Sequence, residues 1–266
     1  MVLLLKSIVR MRTYQLSRQK NIRDLGGLPG LNGKHIKYGR LFRGGALHRV
    51  NEEDVPILES FHLTDVVDFR GDDEFFGQPD YHLPGVIYHN FPAIQEKVNK
   101  EDIKQDDGNL IWFVREGVKG HDHMIKQYEN LIIDEKSQIA YRNFFKVLMK
   151  EGAVTYYHCS QGKDRAGLAS YFIETILGVD YEIIKEDYLL SNVAMKERVE
   201  RIFENIKYKK FYNPTYHQSL LDVFSAKLEY LEAAIKVIDE RYGGTINYIK
   251  NILCVDIDKF RKMYLE

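Results

Sequence analysis

The chain has few cysteines and lacks any long hydrophobic run. Of its 266 residues only Cys159 and Cys254 are cysteines, far apart in sequence, and we expect both to be free thiols in a reducing compartment. The apolar stretch Met1 to Val9 is interrupted by Lys6 and is far too short to span a bilayer. No small-residue cleavage pattern follows it, so it is a poor signal peptide and more typical of a first strand. We therefore expect a cytoplasmic protein without stable membrane insertion.

A charge excess of either sign and low-complexity sequence are absent as well. The net charge of −1 gives no reason to expect a nucleic-acid or membrane partner. Apolar residues make up 44% of the chain, which is enough to bury a substantial core. Because no repeat or linker divides the sequence, residues 1–266 are predicted to form a single domain.

One ten-residue segment carries most of the chemical information. It reads HCSQGKDRAG, from His158 to Gly167, and lies between an apolar, strand-like run and a helix-like run. A cysteine and an arginine separated by five residues, at the point where a strand turns into a helix, can hold a tetrahedral dianion against a sulfur nucleophile. The segment therefore indicates phosphate ester hydrolysis, with phosphate or another oxyanion bound in the loop.

The residue types in this loop suit that chemistry. Only a thiolate attacks well, so Cys159 has to be kept ionised by loop amides and by the positive end of the following helix. Gly162 can adopt the positive φ angle that a tight anion cradle requires. Arg165 presents a planar fork that holds two phosphate oxygens at once. We expect Ser160 and Gln161 to complete the cradle around the remaining oxygens.

Two further loop residues carry charge. Lys163 adds a second cation, which would favour a ligand with more than one phosphate. Asp164 is unusual in an anion-binding loop, because a carboxylate repels a bound phosphate unless it keeps its proton or points away. A proton held there is what a general acid needs to protonate the leaving oxygen.

The segment HCSQGKDRAG resembles the signature of the atypical bacterial tyrosine phosphatases, a group that includes secreted mycobacterial and Listeria enzymes acting on phosphotyrosine and phosphoinositides. The likeness covers almost the whole chain from about residue 20. The matching elements are NIRDLGG (Asn21–Gly27), GRLFRGGAL (Gly39–Leu47), DVVDFR (Asp65–Arg70) with Glu74, Asp187–Asn192 and Tyr230–Gly243. The resemblance implies a phosphatase without metal or cofactor, acting on phosphorylated protein or phosphoinositide. It also leaves secretion open.

Carried over position by position, the resemblance implies roles for five residues. Cys159 is the nucleophile, Arg165 the phosphate clamp and Asp164 the general acid, while Lys163 favours lipid headgroup phosphates. Asp68, at the end of a predicted strand, corresponds to a carboxylate near the active site in relatives. It is the competing candidate for the general acid.

Three further positions leave alternatives open. Ala166 stands where many cysteine phosphatases have a hydroxyl that stabilises the sulfur as a leaving group. Either the intermediate breaks down more slowly here, or the loop amides carry that task alone. Arg23 and Arg43 either line the phosphate pocket or make structural ion pairs, and the residues favour neither interpretation.

Strand-like and helix-like segments alternate along the chain. Short apolar runs at Thr64–Phe69 and Val86–Phe91 are typical of buried strands. The alternation predicts an α/β, cysteine-phosphatase-like fold, with a central, mainly parallel sheet flanked by helices on both faces. Functional groups are expected on loops at the carboxyl ends of the strands, where Cys159 and Asp68 both fall.

The last third of the sequence is helical in pattern. For residues 181–210 the pattern indicates a solvated helical pair, whereas the resemblance implies a helical lid over the site, as in some relatives, and both alternatives stay open. Extra C-terminal helices are predicted over residues 215–266, and an apolar stripe from Leu221 to Ile238 predicts one long core helix ending at Gly243.

Two functions of other classes compete with the phosphatase. A rhodanese-like sulfurtransferase also uses a cysteine in an anion-cradling loop, although Lys163 and Asp164 favour phosphate. A non-catalytic phosphate-binding module is the second alternative, and Ala166 makes it more plausible. A metal is not expected, because His121 and His123 lack neighbours that would complete a ligand set.

Overall fold

A computed structural model shows a six-stranded sheet flanked by helices, and it describes residues 12–19, 21–93, 119–208 and 212–266. The strands are β1 (Thr13–Tyr14), β2 (Ile22–Asp24), β3 (Leu41–Gly45), β4 (Asp65–Asp68), β5 (Ile87–Asn90) and β6 (Thr155–Cys159). Their order across the sheet is β1-β2-β3-β6-β4-β5. β3, β6, β4 and β5 are parallel, whereas β2 pairs antiparallel with β1 and β3. The first strand predicted at residues 1–9 lies outside the described residues.

Side chains alternate across the central strands and divide the core in two. Val67 and Tyr157 belong to a large apolar cluster on one face of the sheet, and Val66 and Tyr156 to a smaller cluster on the other. All four are fully buried. Strands covered on both faces read as continuous apolar runs, which is why the sequence predicts them as buried strands. The α/β fold and its mainly parallel sheet are confirmed.

Helices cover the two faces of the sheet. Within the described residues the helices are α1 (Val55–Glu59), α2 (Asp72–Gly77), α3 (Gly120–Ile133), α4 (Glu135–Leu148), α5 (Arg165–Ile176), α6 (Tyr181–Ile206), α7 (Pro214–Phe224), α8 (Leu228–Tyr242), α9 (Thr245–Asn251) and α10 (Ile257–Tyr264). The expected C-terminal helices are present. No helix in these ranges combines the length and the hydropathy that crossing a bilayer requires.

The C-terminal region departs from the prediction at one point. The stripe from Leu221 to Ile238 predicts a single helix, but the helix is broken over residues 225–227. Asn192 of α6 stabilises the break, because its side-chain amide donates to the Ala226 carbonyl at 2.8 Å and accepts from the Ala226 N–H at 2.7 Å. The predicted end at Gly243 is confirmed by its left-handed backbone, with a φ of 70°.

Candidate active site

The HCSQGKDRAG loop begins at the centre of the sheet. β6 ends at Cys159 and α5 begins at Arg165, so the loop leaves the carboxyl end of a strand that lies between β3 and β4. Gly162 has a φ of 68°, and an added Cβ would lie 2.2 Å from the carbonyl carbon of Gly44. This position therefore admits only glycine. Cys159 is 2% exposed, which shields its side chain from bulk water.

Three consecutive peptide carbonyls of the loop are hydrogen-bonded from outside. Each accepts from a residue that precedes the loop in the chain: Ser160 from the Ala46 N–H at 3.2 Å, Gln161 from Asn21 Nδ2 at 2.8 Å, and Gly162 from Arg43 Nη2 at 3.0 Å. A trans peptide holds its C=O and N–H on opposite sides. The N–H groups of Gln161, Gly162 and Lys163 therefore point into the loop, where they can bind one anion.

The Arg165 guanidinium is fixed by a carboxylate from α2. Its Nη1 donates to Glu74 Oε2 at 2.7 Å and its Nη2 to Glu74 Oε1 at 2.9 Å, while the Ser160 hydroxyl also donates to Glu74. Burial alone would raise the pKa of Glu74, but the Arg165 charge and these hydrogen bonds lower it to about 2. The other N–H groups of Nη1 and Nη2 make longer contacts of 3.3 Å, to the Phe69 carbonyl and to Ser160. A phosphate can thus take the Nε donor and displace the weak Ser160 contact on Nη2.

Asp164 immediately precedes α5, and 22% of its side chain is exposed. Tyr128 of α3 donates its hydroxyl proton to Asp164 Oδ1 at 2.9 Å. The Lys163 ammonium lies 3.4 Å from the same oxygen. A partly exposed carboxyl group next to the nucleophile loop is well placed to transfer a proton.

The Lys163 ammonium is bonded to the end of α7 rather than to an open pocket. It donates to the Val223 carbonyl and, at 3.2 Å, to the Ser225 carbonyl, and 2% of its side chain is exposed. Carbonyls at the C-terminus of a helix have no intrahelical donor, so a cation stabilises them. The lysine thereby ties the loop to the break between α7 and α8.

Asp68 lies in a buried charge network below the loop. Both of its oxygens accept from Arg70 Nε, at 3.0 and 2.9 Å, and Oδ2 lies 2.7 Å from Arg70 Nη2. His158 lies between Asp68 and Asp80, with its Nε2 3.1 Å from Asp80 Oδ2. Burial alone would lower the pKa of His158, but the two carboxylates raise it to about 9.

Asp68, Asp80 and His158 also place ligand-type atoms within 4.8 Å of one another. Arg70 and the protonated imidazole already neutralise the two carboxylates, so this group does not fit a cation. Within the described residues, the contacts of Asp68, Asp80 and His158 indicate a structural role for this group.

Arg23 and Arg43 make the structural ion pairs that the sequence left as one of two alternatives. Arg23 Nη2 and Arg43 Nη1 lie 3.0 and 3.1 Å from Asp187 Oδ2, and Arg12 Nη2 lies 2.8 Å from Oδ1. All four side chains are at most 2% exposed. Burial and the neighbouring Arg43 lower the pKa of Arg23 to about 10, which leaves it charged at neutral pH. Arg43 also donates from Nη2 to the Gly162 carbonyl of the loop at 3.0 Å.

Ala166 has a fully buried side chain that belongs to the large core cluster. Only its backbone remains available to an oxyanion. The neighbouring hydroxyl in the loop, Ser160, donates to Glu74. The side chain of residue 166 is thus a core contact and offers no hydroxyl to the Cys159 sulfur.

Three residues of the site were assigned no role from the sequence. Asn21 and Glu74 lie within the motifs that carry the family resemblance, but their contacts with the loop span 140 and 91 residues of sequence. Tyr128 reaches Asp164 across 36 residues from a segment that predicts only a helix. The motifs draw attention to Asn21 and Glu74, but they do not predict the contacts of these residues with the loop. Tyr128 carries no such signal.

Comparison with known proteins identifies relatives of the whole chain. The family model described as "Tyrosine phosphatase family" matches residues 14–266. A protein of Cupriavidus necator, named as a candidate tyrosine-protein phosphatase, is 27% identical over 257 residues, covering 92% of this chain and 85% of its own length. The triple specificity protein phosphatase PtpB of Mycobacterium tuberculosis is 27% identical over 239 residues, covering 81% and 86%.

Among solved structures, P. aeruginosa TpbA is similar at 14% identity with a TM-score of 0.28, covering 84% of this chain and 96% of its own. A likeness at that score carries no argument about function.

Proposed function

The chain belongs to the tyrosine phosphatase family and is a phosphatase, and we propose that it hydrolyses phosphotyrosine through a phosphocysteine intermediate. Phosphoserine, phosphothreonine and phosphoinositides are further candidate substrates of the same loop. The observation that carries this proposal is the outward bonding of three loop carbonyls. It leaves the three following amides on the opposite side of the peptide planes, where we expect them to bind one anion beside Cys159 and Arg165.

The first step transfers the phosphoryl group to sulfur. Cys159 Sγ attacks phosphorus in line with the leaving oxygen, the P–O bond breaks, and Asp164 gives its proton to that oxygen. The loop amides and Arg165 receive the charge of the equatorial oxygens. Because Asp68 is bonded through both oxygens to Arg70, we assign the acid role to Asp164.

The second step hydrolyses the intermediate. Asp164, now ionised, removes a proton from water as the water oxygen attacks phosphorus, and the S–P bond breaks to return the thiolate. The side chain of Ala166 is buried and the Ser160 hydroxyl donates to Glu74. In our proposal the loop amides therefore stabilise the departing sulfur.

The environment of Lys163 bears on the choice of substrate. A phosphotyrosine needs only the loop and Arg165, whereas a second phosphate on an inositol ring has to draw the Lys163 ammonium away from the α7 carbonyls. We therefore rank phosphotyrosine before phosphoinositides. Both cysteines are free thiols, Cys159 buried and Cys254 exposed, and we propose that the protein works in a reducing compartment, where Cys159 stays reduced.

Turnover of p-nitrophenyl phosphate tests the proposal. We expect the intact protein to hydrolyse it and Cys159→Ser to lose the activity with an unchanged melting temperature. Rates on phosphotyrosine peptide, phosphoserine peptide and phosphoinositide then rank the substrates. Activity that survives in Cys159→Ser would contradict the mechanism, and a persulfide on Cys159 detected by mass spectrometry would favour a sulfurtransferase.

Two substitutions separate the candidate acids. Asp164→Asn is expected to lower kcat/KM by about 100-fold on phosphotyrosine peptide and far less on p-nitrophenyl phosphate, whose leaving group departs without a proton. Asp68→Asn is expected to affect both substrates alike. The opposite pattern would assign the acid to Asp68.

A further inference from the structure

Tyr128, on α3, and Tyr188, on α6, form a chain of hydroxyl groups that ends on Asp164. The Tyr128 hydroxyl lies 2.9 Å from Asp164 Oδ1 and 2.8 Å from the Tyr188 hydroxyl. Resting on the proposed role of Asp164, we propose that Tyr128 is the positioning residue of the general acid. Its hydrogen bond marks Oδ1 as an acceptor and leaves Oδ2 to carry the transferable proton.

Counting protons fixes the direction of the chain. A tyrosine hydroxyl has one proton, and Tyr128 gives its proton to Asp164 Oδ1. The contact between the two hydroxyls therefore requires Tyr188 to donate to Tyr128. A carboxyl oxygen that accepts the hydrogen bond from Tyr128 cannot also hold a proton that points toward Tyr128. The acidic proton consequently belongs on the other oxygen.

The surroundings of Asp164 support this assignment. Within the described part of the chain, the contacts of Tyr128 and Lys163 both fall on Oδ1. Tyr128 is fully buried and Tyr188 is 2% exposed, so water does not compete for their hydroxyls. Burial, together with the Asp164 charge, raises the pKa of Tyr128 far above its ordinary value and keeps it a neutral donor.

The other titratable groups around Asp164 hold fixed charge states near neutral pH. Among them, Arg165 follows Asp164 in the chain, and Tyr141 of α4 and Tyr230 of α8 also lie near it. Burial raises the pKa of Tyr230 and that of Tyr141 well above the ordinary value of a tyrosine. These groups remain neutral tyrosines and a cationic arginine throughout the range in which a general acid titrates. A shift of the alkaline limb of activity in a Tyr128 variant would therefore not arise from these three groups.

The decisive variant is Tyr128→Phe, measured by kcat/KM against pH on phenyl phosphate and on p-nitrophenyl phosphate. This parameter reports the first step, in which the leaving group takes the proton. We expect a loss of about 10-fold on phenyl phosphate, because the acid is no longer held in line, and a change of less than about twofold on p-nitrophenyl phosphate. The alkaline limb should move to higher pH, since the ionised carboxylate loses a donor that stabilises it.

Two further variants complete the test. Tyr188→Phe should change the same quantities in the same direction by a smaller amount, because Tyr128 keeps its donation to Asp164. Tyr248→Phe is the matched control: it also removes one buried tyrosine hydroxyl that bonds to α3, at the Ile132 carbonyl, without contacting Asp164. We expect this control to leave both substrates and the pH profile unchanged.

The outcomes separate this inference from the function on which it rests. If Asp164→Asn shows no preference between the two leaving groups, the proposed acid is wrong. If Asp164→Asn is selective but Tyr128→Phe lowers both substrates equally, or leaves the alkaline limb in place, only the positioning role is overturned. Melting temperatures show whether Tyr128→Phe still folds, and Tyr188→Phe provides the same comparison if it does not.

Discussion

Replacing Glu74 with glutamine tests how Arg165, the proposed phosphate clamp, is held. The carboxylate bonds both terminal nitrogens of Arg165, at 2.7 and 2.9 Å, and accepts from Ser160. Glutamine keeps the size and one acceptor oxygen but loses the charge, and its NH₂ group faces a guanidinium that has no acceptor. Arg165 then loses the contact that aims its remaining donors into the loop.

The expected size of the effect on kcat/KM follows from the electrostatic interaction between Glu74 and Arg165. Lowering the pKa of Glu74 from 4.5 to about 2 corresponds to about 3 kcal/mol, at roughly 1.4 kcal/mol per pKa unit. Because 30% of the Glu74 side chain and 13% of that of Arg165 are exposed, solvent screening reduces this to about 2 kcal/mol. If the whole interaction serves to orient Arg165 for the transition state, kcat/KM falls by about 30-fold.

The same shift predicts how stability depends on pH. The pKa of Glu74 is lower in the folded state than in the unfolded chain. The contribution of the ionised Glu74 to the free energy of unfolding is therefore complete above about pH 4.5 and is lost as the pH falls toward 2. At neutral pH we expect Glu74→Gln to lower the free energy of unfolding by about 2 kcal/mol. Urea denaturation at pH 7 and at pH 3 should show the difference between variant and parent shrinking at the lower pH.

The assay is kcat/KM on p-nitrophenyl phosphate, with inorganic phosphate inhibition as a second readout. Asp72→Asn is the matched control, since it removes one negative charge from an exposed position on the same helix. An unchanged or raised kcat/KM in Glu74→Gln would refute the reasoning. It would mean that Glu74 competes with phosphate for Arg165 instead of orienting it.

Three other predictions concern the support of the loop. Asp187→Asn should lower the free energy of unfolding by about 3–5 kcal/mol in urea denaturation, because it leaves buried guanidinium groups without their counter-charge; a loss below about 1 kcal/mol would contradict this. In Cys159→Ser, the free energy of unfolding should fall by about 3 kcal/mol between pH 6.5 and 9. Over this range the His158 imidazole loses a proton that the folded state binds more tightly than the unfolded chain does. Adding His158→Gln should remove this dependence of stability on pH. Gly162→Ala should abolish phosphate binding in calorimetry, since its Cβ would overlap the Gly44 carbonyl, and retained binding would show that the loop can adopt another backbone path.

The sequence was sufficient to predict the loop because its chemistry is local. The strand, the helix start and the spacing of Cys159 and Arg165 all fall within one short segment. The support of the loop was not predictable, because Asn21 and Glu74 contact it across 140 and 91 residues of sequence. For the same reason the ion pair of Arg43 could not be predicted from the sequence. Asp187, which neutralises this arginine, lies 144 residues away.

The break between α7 and α8 shows a second limit of periodicity. Phe224 and Leu228 keep a spacing of four residues, so the apolar stripe continues through residues that are not helical. What ends the helix is polar and distant: Asn192 bonds both backbone groups of Ala226, and Lys163 takes the last carbonyls of α7. The hydrophobic pattern of the sequence predicts neither of these two contacts.

The assignment of the acid follows from what surrounds the carboxylates near the loop. Asp68, Glu74 and Asp187 each bond a guanidinium with both oxygens or bond several arginines, which are strong, charge-assisted contacts. Asp164 instead accepts from a neutral hydroxyl, and the nearest cation within the described residues, Lys163, is 3.4 Å away and already bonded to carbonyls. Enzymes separate the roles of neighbouring carboxyl groups by such differences in environment. Three of these side chains are therefore bound to arginines, and in our proposal the fourth, Asp164, exchanges a proton with the substrate.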